Sequence, residues 1–396
     1  MQVVAITGGA GFVGRRLAAA LLDDPGLGIR EVRLLDVRAP EPIPFAASST
    51  RTRHKIGTEQ LRFVQCDLRE ADQVSAALAG VDTVFHLASY GMSGREMLNV
   101  PMIRAVNLGG TKHILAACRS LSIPRLIYVS TYNTVFNTAP ILSGSEDRVP
   151  YCPLHLFHDE YSRTKRQAEE MCLAANAPAE GLATCAIRPA AIFGDGEERH
   201  LPRILGTVRA GLGLAAIGSE DTLCDWVYVD NLTHALILAG QSLAAGSASR
   251  AAGQAYCISD DTPLNNFLFL RPLLHGLGYT NVFRFWVPTV IMFYVAWFLE
   301  MVRLVLVWVS PRLMFQPFLT RAEVSKVGVT HWFSMEKART QLGYTPIVAP
   351  EEAIKRCIEY YTDEFGTSEV RKARAAMHPT SPAASSLSAA ASKKDR

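Results

Sequence analysis

Two widely separated signals constrain this chain more than anything else in it. The first is Thr7-Gly8-Gly9-Ala10-Gly11-Phe12-Val13-Gly14, directly after the apolar run Val3-Val4-Ala5-Ile6. The second, Tyr161-Ser162-Arg163-Thr164-Lys165, opens a helical stretch. A glycine-rich turn between a strand and a helix offers free N–H groups and the positive end of the helix dipole to a pyrophosphate. A Tyr four residues before a Lys puts a phenol and a cation on one helix face. Either occurs by chance, but in this order they point to a parallel α/β fold that binds a dinucleotide and moves a proton.

The surrounding pattern agrees. Candidate strands lie at 2–6, 31–36, 61–65, 82–87, 125–130 and 183–188, and helical patterns fill much of 13–23, 70–79, 102–120 and 161–175. Such alternation predicts a Rossmann-type, doubly wound parallel sheet. Residues 1–190 form the expected dinucleotide-binding domain with the Tyr-Lys pair. Residues 191–284 and 311–365 form a smaller substrate-binding region, to which 226–229, 232–239 and 255–258 are assigned. Segment 285–310 is apolar, and 39–58 reads as a surface loop. From 366 to 396 large apolar groups are scarce, and a disordered tail is expected.

Net charge is only +3, which argues against a nucleic-acid partner. The eight cysteines are scattered, contain no CxxC and sit in apolar runs, as reduced core residues do. Strand-like sequence begins at Gln2 without a basic leader, so no signal peptide is expected and the catalytic domain should face a reducing compartment.

Gly8, Gly11 and Gly14 are spaced three apart, and Gly9, Gly11 and Gly14 fit the literal G-x-G-x-x-G. Glycines there permit the tight turn, the approach of backbone to phosphate and close helix–strand packing, with Phe12 and Val13 beginning the helix. Asp36 ends the second strand, where a carboxylate accepts from ribose hydroxyls and repels a 2′-phosphate; NAD is thus favoured over NADP, although Arg38 nearby offers a phosphate partner. Asp67, after the third strand, either accepts from the adenine amino group or N-caps the next helix. His86 reads as a packed strand residue, and the small Ala88 lets backbone pass close to the cofactor.

Oxidising an alcohol requires a proton acceptor. A free phenol titrates near 10, and a Lys ammonium with a positive nicotinamide ring favours its ionised form. Tyr161 is therefore the candidate base, with Lys165 lowering its pKa and holding the nicotinamide ribose. At the end of the fifth strand Thr131 is the candidate hydroxyl for the substrate oxygen, with Ser130 next in line. Asn107 either holds a relay water or the cofactor, or marks a helix kink.

These residues resemble those of the extended short-chain dehydrogenase/reductases over 2–362. Further likeness comes from Val84-Phe85-His86-Leu87-Ala88, Ile187-Arg188-Pro189 with Ile192-Phe193-Gly194, the 226–231 run, and Lys337-Ala338-Arg339 with Leu342-Gly343-Tyr344. Within that superfamily the chain is most similar to the 3β-hydroxysteroid dehydrogenase group and its family 42E branch, through the apolar segment before the Lys337 helix. The resemblance implies Tyr161 as proton acceptor, Lys165 as NAD ligand, and the glycines with Asp36 as the dinucleotide site. It also implies a 3β-hydroxysteroid or related lipid alcohol, a homodimer paired through 102–120 and 161–175, and residence at the endoplasmic reticulum membrane. Tyr132 and Asn133 are bulkier than many members carry at the strand-five site, and Asn137 stands where many have Gly.

Segment 286–309 is apolar except for Glu300 and Arg303, and carries Trp286, Trp297 and Trp308. It is long enough to span ~30 Å of hydrocarbon as a helix. Glu300 and Arg303 are expected to pair. A full crossing would separate Lys337 to Tyr361 from the domain they belong to, which a monotopic or re-entrant anchor avoids. Three functions compete: an NAD-dependent dehydrogenase of a membrane-partitioned hydroxysteroid or sterol, which leads; a nucleotide-sugar epimerase or dehydratase of the same fold; and a non-catalytic NAD-binding sensor.

Overall fold

The computed structural model describes residues 2–40, 58–136, 138–309, 317 and 319–377. Asn137 and most of the 39–58 loop lie outside the described residues. Seven parallel strands, β1 (Gln2–Thr7), β2 (Ile29–Asp36), β3 (Leu61–Gln65), β4 (Thr83–His86), β5 (Arg125–Val129), β6 (Ala183–Pro189) and β7 (Ala255–Ile258), form one sheet in the order β7-β6-β5-β4-β1-β2-β3. Continuous apolar runs suit strands covered on both faces, and Val3 to Ile6 are buried throughout. Helices α1 (Phe12–Asp23), α2 (Ala71–Leu78), α3 (Thr111–Ser120), α4 (Glu160–Ala174) and α5 (Val229–Ala244) supply the cover. Leu17, Leu21, Leu232 and Leu236 pack one face, and Val74, Leu78, Ile114 and Cys118 the other.

The strand order reverses between β1 and β4, whose ends are level, Thr7 opposite His86. A crevice therefore opens at the carboxyl edge, where α/β sheets bind ligands.

Three expectations change. Ala255–Ile258, assigned to the substrate-covering region, is the edge strand of the main sheet. It pairs with β6 because all four residues are apolar enough to be buried. The 232–239 run belongs to α5 and packs against α1 in the main layer. The tail does not lose order at 366: Ser368–Met377 is a helix of good helix formers, and Arg374 Nη1 donates to the Glu359 carbonyl at 2.6 Å. The apolar segment also starts later than its composition suggests. Phe285–Val287 pairs as a strand with Ala215–Ile217, and the helix, α6, runs over Thr289–Val309.

The C-terminal core, built around Phe193, Leu273 and Cys357, is tied to α1 by a buried ion cluster. Arg16 Nη2 lies 2.5 Å from Asp195 Oδ2 and Nη1 lies 3.4 Å from Asp230 Oδ1, with both arginine and Asp195 side chains fully buried. The Tyr228 hydroxyl donates to Asp195 at 2.6 Å. Arg16→Ala leaves two buried carboxylates short of a partner, so urea unfolding should show a loss of about 3–5 kcal/mol. Removing Arg339, half-exposed beside Asp261, should cost under about 1 kcal/mol.

Candidate active site

The turn after β1 is shaped by what its glycines leave out. Gly8 has φ +67°, and a Cβ on it would lie 2.9 Å from the Cα and N of Ala88 at the end of β4. A Cβ on Gly9 would meet Leu34 Cα at 2.7 Å, and one on Gly14 would meet the Gly8 carbonyl at 2.5 Å. Gly11 N–H donates to Gly8 O at 3.0 Å, closing the turn. Gly11 then N-caps α1 without a side-chain bond, and no acidic residue stands in the first helical turn. The open N–H groups and uncancelled dipole suit a pyrophosphate. Phe12 and Val13 turn into the packing against the C-terminal core.

Asp36 accepts from Ala10 N–H (3.2 Å) through one oxygen and from Val37 N–H (2.8 Å) through the other. A carboxylate offers about four acceptor sites, so capacity remains for ribose hydroxyls while the carboxylate holds the turn. Asp67 is not a helix N-cap: α2 starts at Ala71 after Glu70, and the Asp67 carboxylate is bridged by Arg69, whose hydrogen bonds hold it below the usual carboxylate range.

His86 organises the sheet edge. The Thr111 hydroxyl donates to Asn107 O (2.7 Å) and so accepts from His86 Nε2 (2.9 Å). That leaves Nδ1 to accept from the Thr7 hydroxyl (2.7 Å), whose oxygen takes the Ala88 N–H (3.2 Å). Burial pushes His86 down to about 3, keeping it neutral. Asn107 sits in a π-helical turn, Ala105–Gly110. Its side chain bonds both Tyr90 N (2.8 Å) and O (3.1 Å) and donates to Thr164 Oγ1 (3.0 Å). Asn107 thus anchors the 90 loop at a helical irregularity.

Asp159 N-caps α4 through Ser162 N–H (2.6 Å), which places Tyr161 and Lys165 in the first two turns. Lys165 Nζ donates to Val129 O at the end of β5 (2.5 Å) and lies 4.2 Å from the Tyr128 ring centre. Burial lowers it to about 7, against the raising effect of Cys172 and Glu169. Burial raises Tyr161 to about 12; a hydrogen bond with Ser89 and the Arg199 charge oppose this. Lys165 gives one of its three donors to the Val129 carbonyl, which leaves two for other partners. Ser89, two residues past Leu87, is the functional neighbour that sequence reasoning missed; only its place just beyond the fourth strand signalled it.

At the end of β5, Thr131 Oγ1 accepts from Asn133 N–H (3.2 Å), and its own proton has no acceptor among the described residues. Ser130 Oγ is buried and has no partner among the described residues. Tyr132 turns into the core, 5.0 Å from His331 and 6.0 Å from Phe333 between ring centres, so its bulk is absorbed there. The structure therefore gathers the Gly8–Gly14 turn, Asp36, Thr131, Tyr161 and Lys165 along one sheet edge.

Residues 5–288 match the 3-beta hydroxysteroid dehydrogenase/isomerase family. The chain belongs to this family. Among its relatives, short-chain dehydrogenase/reductase family 42E member 1 of Danio rerio is 47% identical over 348 residues, covering 86% of this chain and 84% of that protein. Its Homo sapiens counterpart is 46% identical over 351 residues, 87% and 84% of the two chains. 3beta-Hydroxysteroid-dehydrogenase/decarboxylase isoform 1 of Arabidopsis thaliana is 33% identical over 364 residues, 90% and 79%. Among solved structures, the fold resembles Streptomyces venezuelae DesIV, a dTDP-glucose 4,6-dehydratase with NAD and TYD bound. The TM-score is 0.65 at 21% identity, over 91% and 97% of the chains. The epimerase Mth375 of Methanothermobacter thermautotrophicus gives a TM-score of 0.67 at 20% identity, over 94% of each.

Two measurements check this family member's site. Gly14→Ala drives a methyl onto the Gly8 carbonyl and should weaken NAD binding, by calorimetric titration, at least about tenfold, or about 1.4 kcal/mol. Lys165 takes its proton near 10.5 in the unfolded chain and near 7 in the native one. As pH falls through that window the unfolded state binds the proton first, and native stability drops. The melting temperature of Lys165→Met relative to wild type should therefore rise as pH falls from about 10.5 to about 7, and be level below that.

Proposed function

We propose that this protein is an NAD-dependent oxidoreductase acting on the CH–OH group of a 3β-hydroxysteroid, sterol or related lipid alcohol. What supports the reading is that the glycine turn follows the end of β1, Thr131 follows the end of β5, and the Lys165–Val129 hydrogen bond holds the Tyr161–Lys165 helix to that same carboxyl edge. Family membership and the Arabidopsis relatives, named as 3beta-hydroxysteroid dehydrogenase/decarboxylases, support the substrate class. The apolar helix α6 supports work at a membrane, and the eight free, buried cysteines suit a catalytic domain on its reducing side; the endoplasmic reticulum is the membrane we assign.

When bound, NAD supplies the hydride acceptor and a positive ring. Asp36 and the α1 N-terminus hold its ribose and pyrophosphate. Thr131 donates its free hydroxyl proton to the substrate oxygen and orients it. Tyr161 takes the proton of that oxygen during oxidation and returns it during reduction. With the phenol raised to about 12, its resting form is protonated, the form needed for reduction. Oxidation requires added positive charge nearby, which Lys165 and the cofactor ring provide. The near-complete burial of Tyr161, 6% exposed, keeps water from the transfer.

The test is NADH formation by the detergent-solubilised protein across 3β-hydroxysteroids and sterols. Tyr161→Phe should lower kcat by ~10²–10⁴ while NAD still binds, and retained turnover overturns the assignment. Tight binding of a UDP- or GDP-sugar would transfer the site to nucleotide-sugar chemistry. NAD binding with no turnover of any alcohol would make the protein a sensor.

A further inference from the structure

Helix α6 has one polar face and one bare apolar one. Thr289, Phe293, Ala296, Glu300 and Arg303 follow a helical spacing on the side toward the body, with Ala296 completely buried. The opposite side carries Val290, Tyr294, Trp297, Phe298, Leu304 and Trp308, exposed by 44% to 84%, and no charge. Before the helix start, Phe285, on the strand paired with Ala215–Ile217, and Leu212, three residues ahead of that partner strand, are also apolar and exposed, by 64% and 73%.

The body side is fastened at two points. Thr289 Oγ1 donates to Gly328 O at 2.9 Å. Glu300 pairs with Arg321, not with Arg303 as its sequence spacing suggested: Arg321 N–H and Nε donate to it at 2.9 and 2.7 Å. Arg321 and Gly328 are the two ends of a short helix, α7 (Arg321–Gly328), so residues 289–300 of α6 run antiparallel along all of α7. That helix is itself fixed, through Glu323 to Arg203 (2.7 Å) and through Lys326 to Asp159 (3.4 Å), the N-cap of α4. His158, beside that cap, meets the Phe293 ring edge-on at 6.0 Å.

Length then decides between crossing a bilayer and lying on it. Among the described residues, and at 1.5 Å per residue, about 13 Å of α6, from Met301 to Val309, extends beyond α7, less than half of a ~30 Å hydrocarbon core. A crossing would draw the charged side chains of α7 into hydrocarbon, at a cost of roughly 3 kcal/mol each or more. We propose that α6 lies in the plane of a bilayer surface as a fixed part of the folded body, its outer face set into the headgroup–acyl boundary. Charge favours a lipid surface over a second copy of the chain. The outer face carries no carboxylate, Glu300 being held by Arg321 on the body side, and Arg284, exposed just before the helix, offers a cation to lipid phosphates. Trp297, Trp308 and Tyr294 are side chains suited to that boundary. The Lys326–Asp159 and His158–Phe293 contacts place the α4 end that carries Tyr161 beside the anchored surface. The inference deepens the lipid-alcohol reading, and its test reads membrane geometry without turnover.

All eight cysteines are buried, so a thiol-directed fluorophore on Trp297→Cys or Trp308→Cys of the full chain reports one place. The protein is mixed with phosphatidylcholine–phosphatidylserine vesicles whose lipids carry a quencher either near the headgroup or deep in the acyl chain. Both probes should be quenched by the shallow lipid and sit at equal depth. Phe298→Glu should weaken vesicle binding at least about tenfold, equivalent to about 1.4 kcal/mol, without moving the melting temperature. Trp297→Cys at the bilayer centre with Trp308→Cys near a headgroup would overturn the in-plane placement. So would absent vesicle binding together with self-association that Phe298→Glu abolishes, which would assign the face to a second copy.

Discussion

The site depends on a close approach between two backbones. Where the turn after β1 passes the end of β4, Gly8 and Ala88 lie so near that a Cβ on Gly8 would sit 2.9 Å from backbone atoms. Thr7 and His86, opposite each other in the register, lock this seam with hydrogen bonds that run on to Thr111, Asn107 and Thr164. Thr164 is the neighbour of Lys165, so one buried chain of neutral polar groups connects the dinucleotide turn to the helix that carries Tyr161 and Lys165. Each member is satisfied, as low-dielectric burial of polar groups demands.

Burial also sets the electrostatics. Desolvation moves the phenol of Tyr161 and the amine of Lys165 apart on the pH scale, up to about 12 and down to about 7. Each is thereby displaced toward its neutral form. Lys165 spends its hydrogen bond on Val129 O, so its first effect is to fasten α4 to β5; its charge is a second, pH-dependent contribution. Thr131, Tyr161 and Lys165 are therefore held by a strand end and a capped helix.

The apolar segment shows how a single side chain can change a reading. Glu300 within an apolar helix looks like a partner for Arg303 one turn on, because sequence spacing shows only neighbours along the helix. In the fold it meets Arg321, contributed by the next helix, and this bond straps the apolar helix to the body. Local spacing likewise left Asp67 open between a helix cap and an adenine partner, whereas in the fold Arg69, two residues on, bridges its carboxylate.

The sequence by itself determined the sheet, the glycine turn, Asp36 at the second strand end and the Tyr161–Lys165 helix, because each rests on local periodicity or on backbone geometry that only glycine permits. Ser368–Met377 was misjudged from its scarcity of large apolar groups, since Arg374 gains its anchor from another helix. Only the tertiary structure decided that Ala255–Ile258 belongs to the main sheet, that Ser89 touches Tyr161, which way Lys165 points and what Glu300 binds. Those choices are made by groups distant in sequence, whose meeting depends on how whole layers pack and which charges are left to be paired.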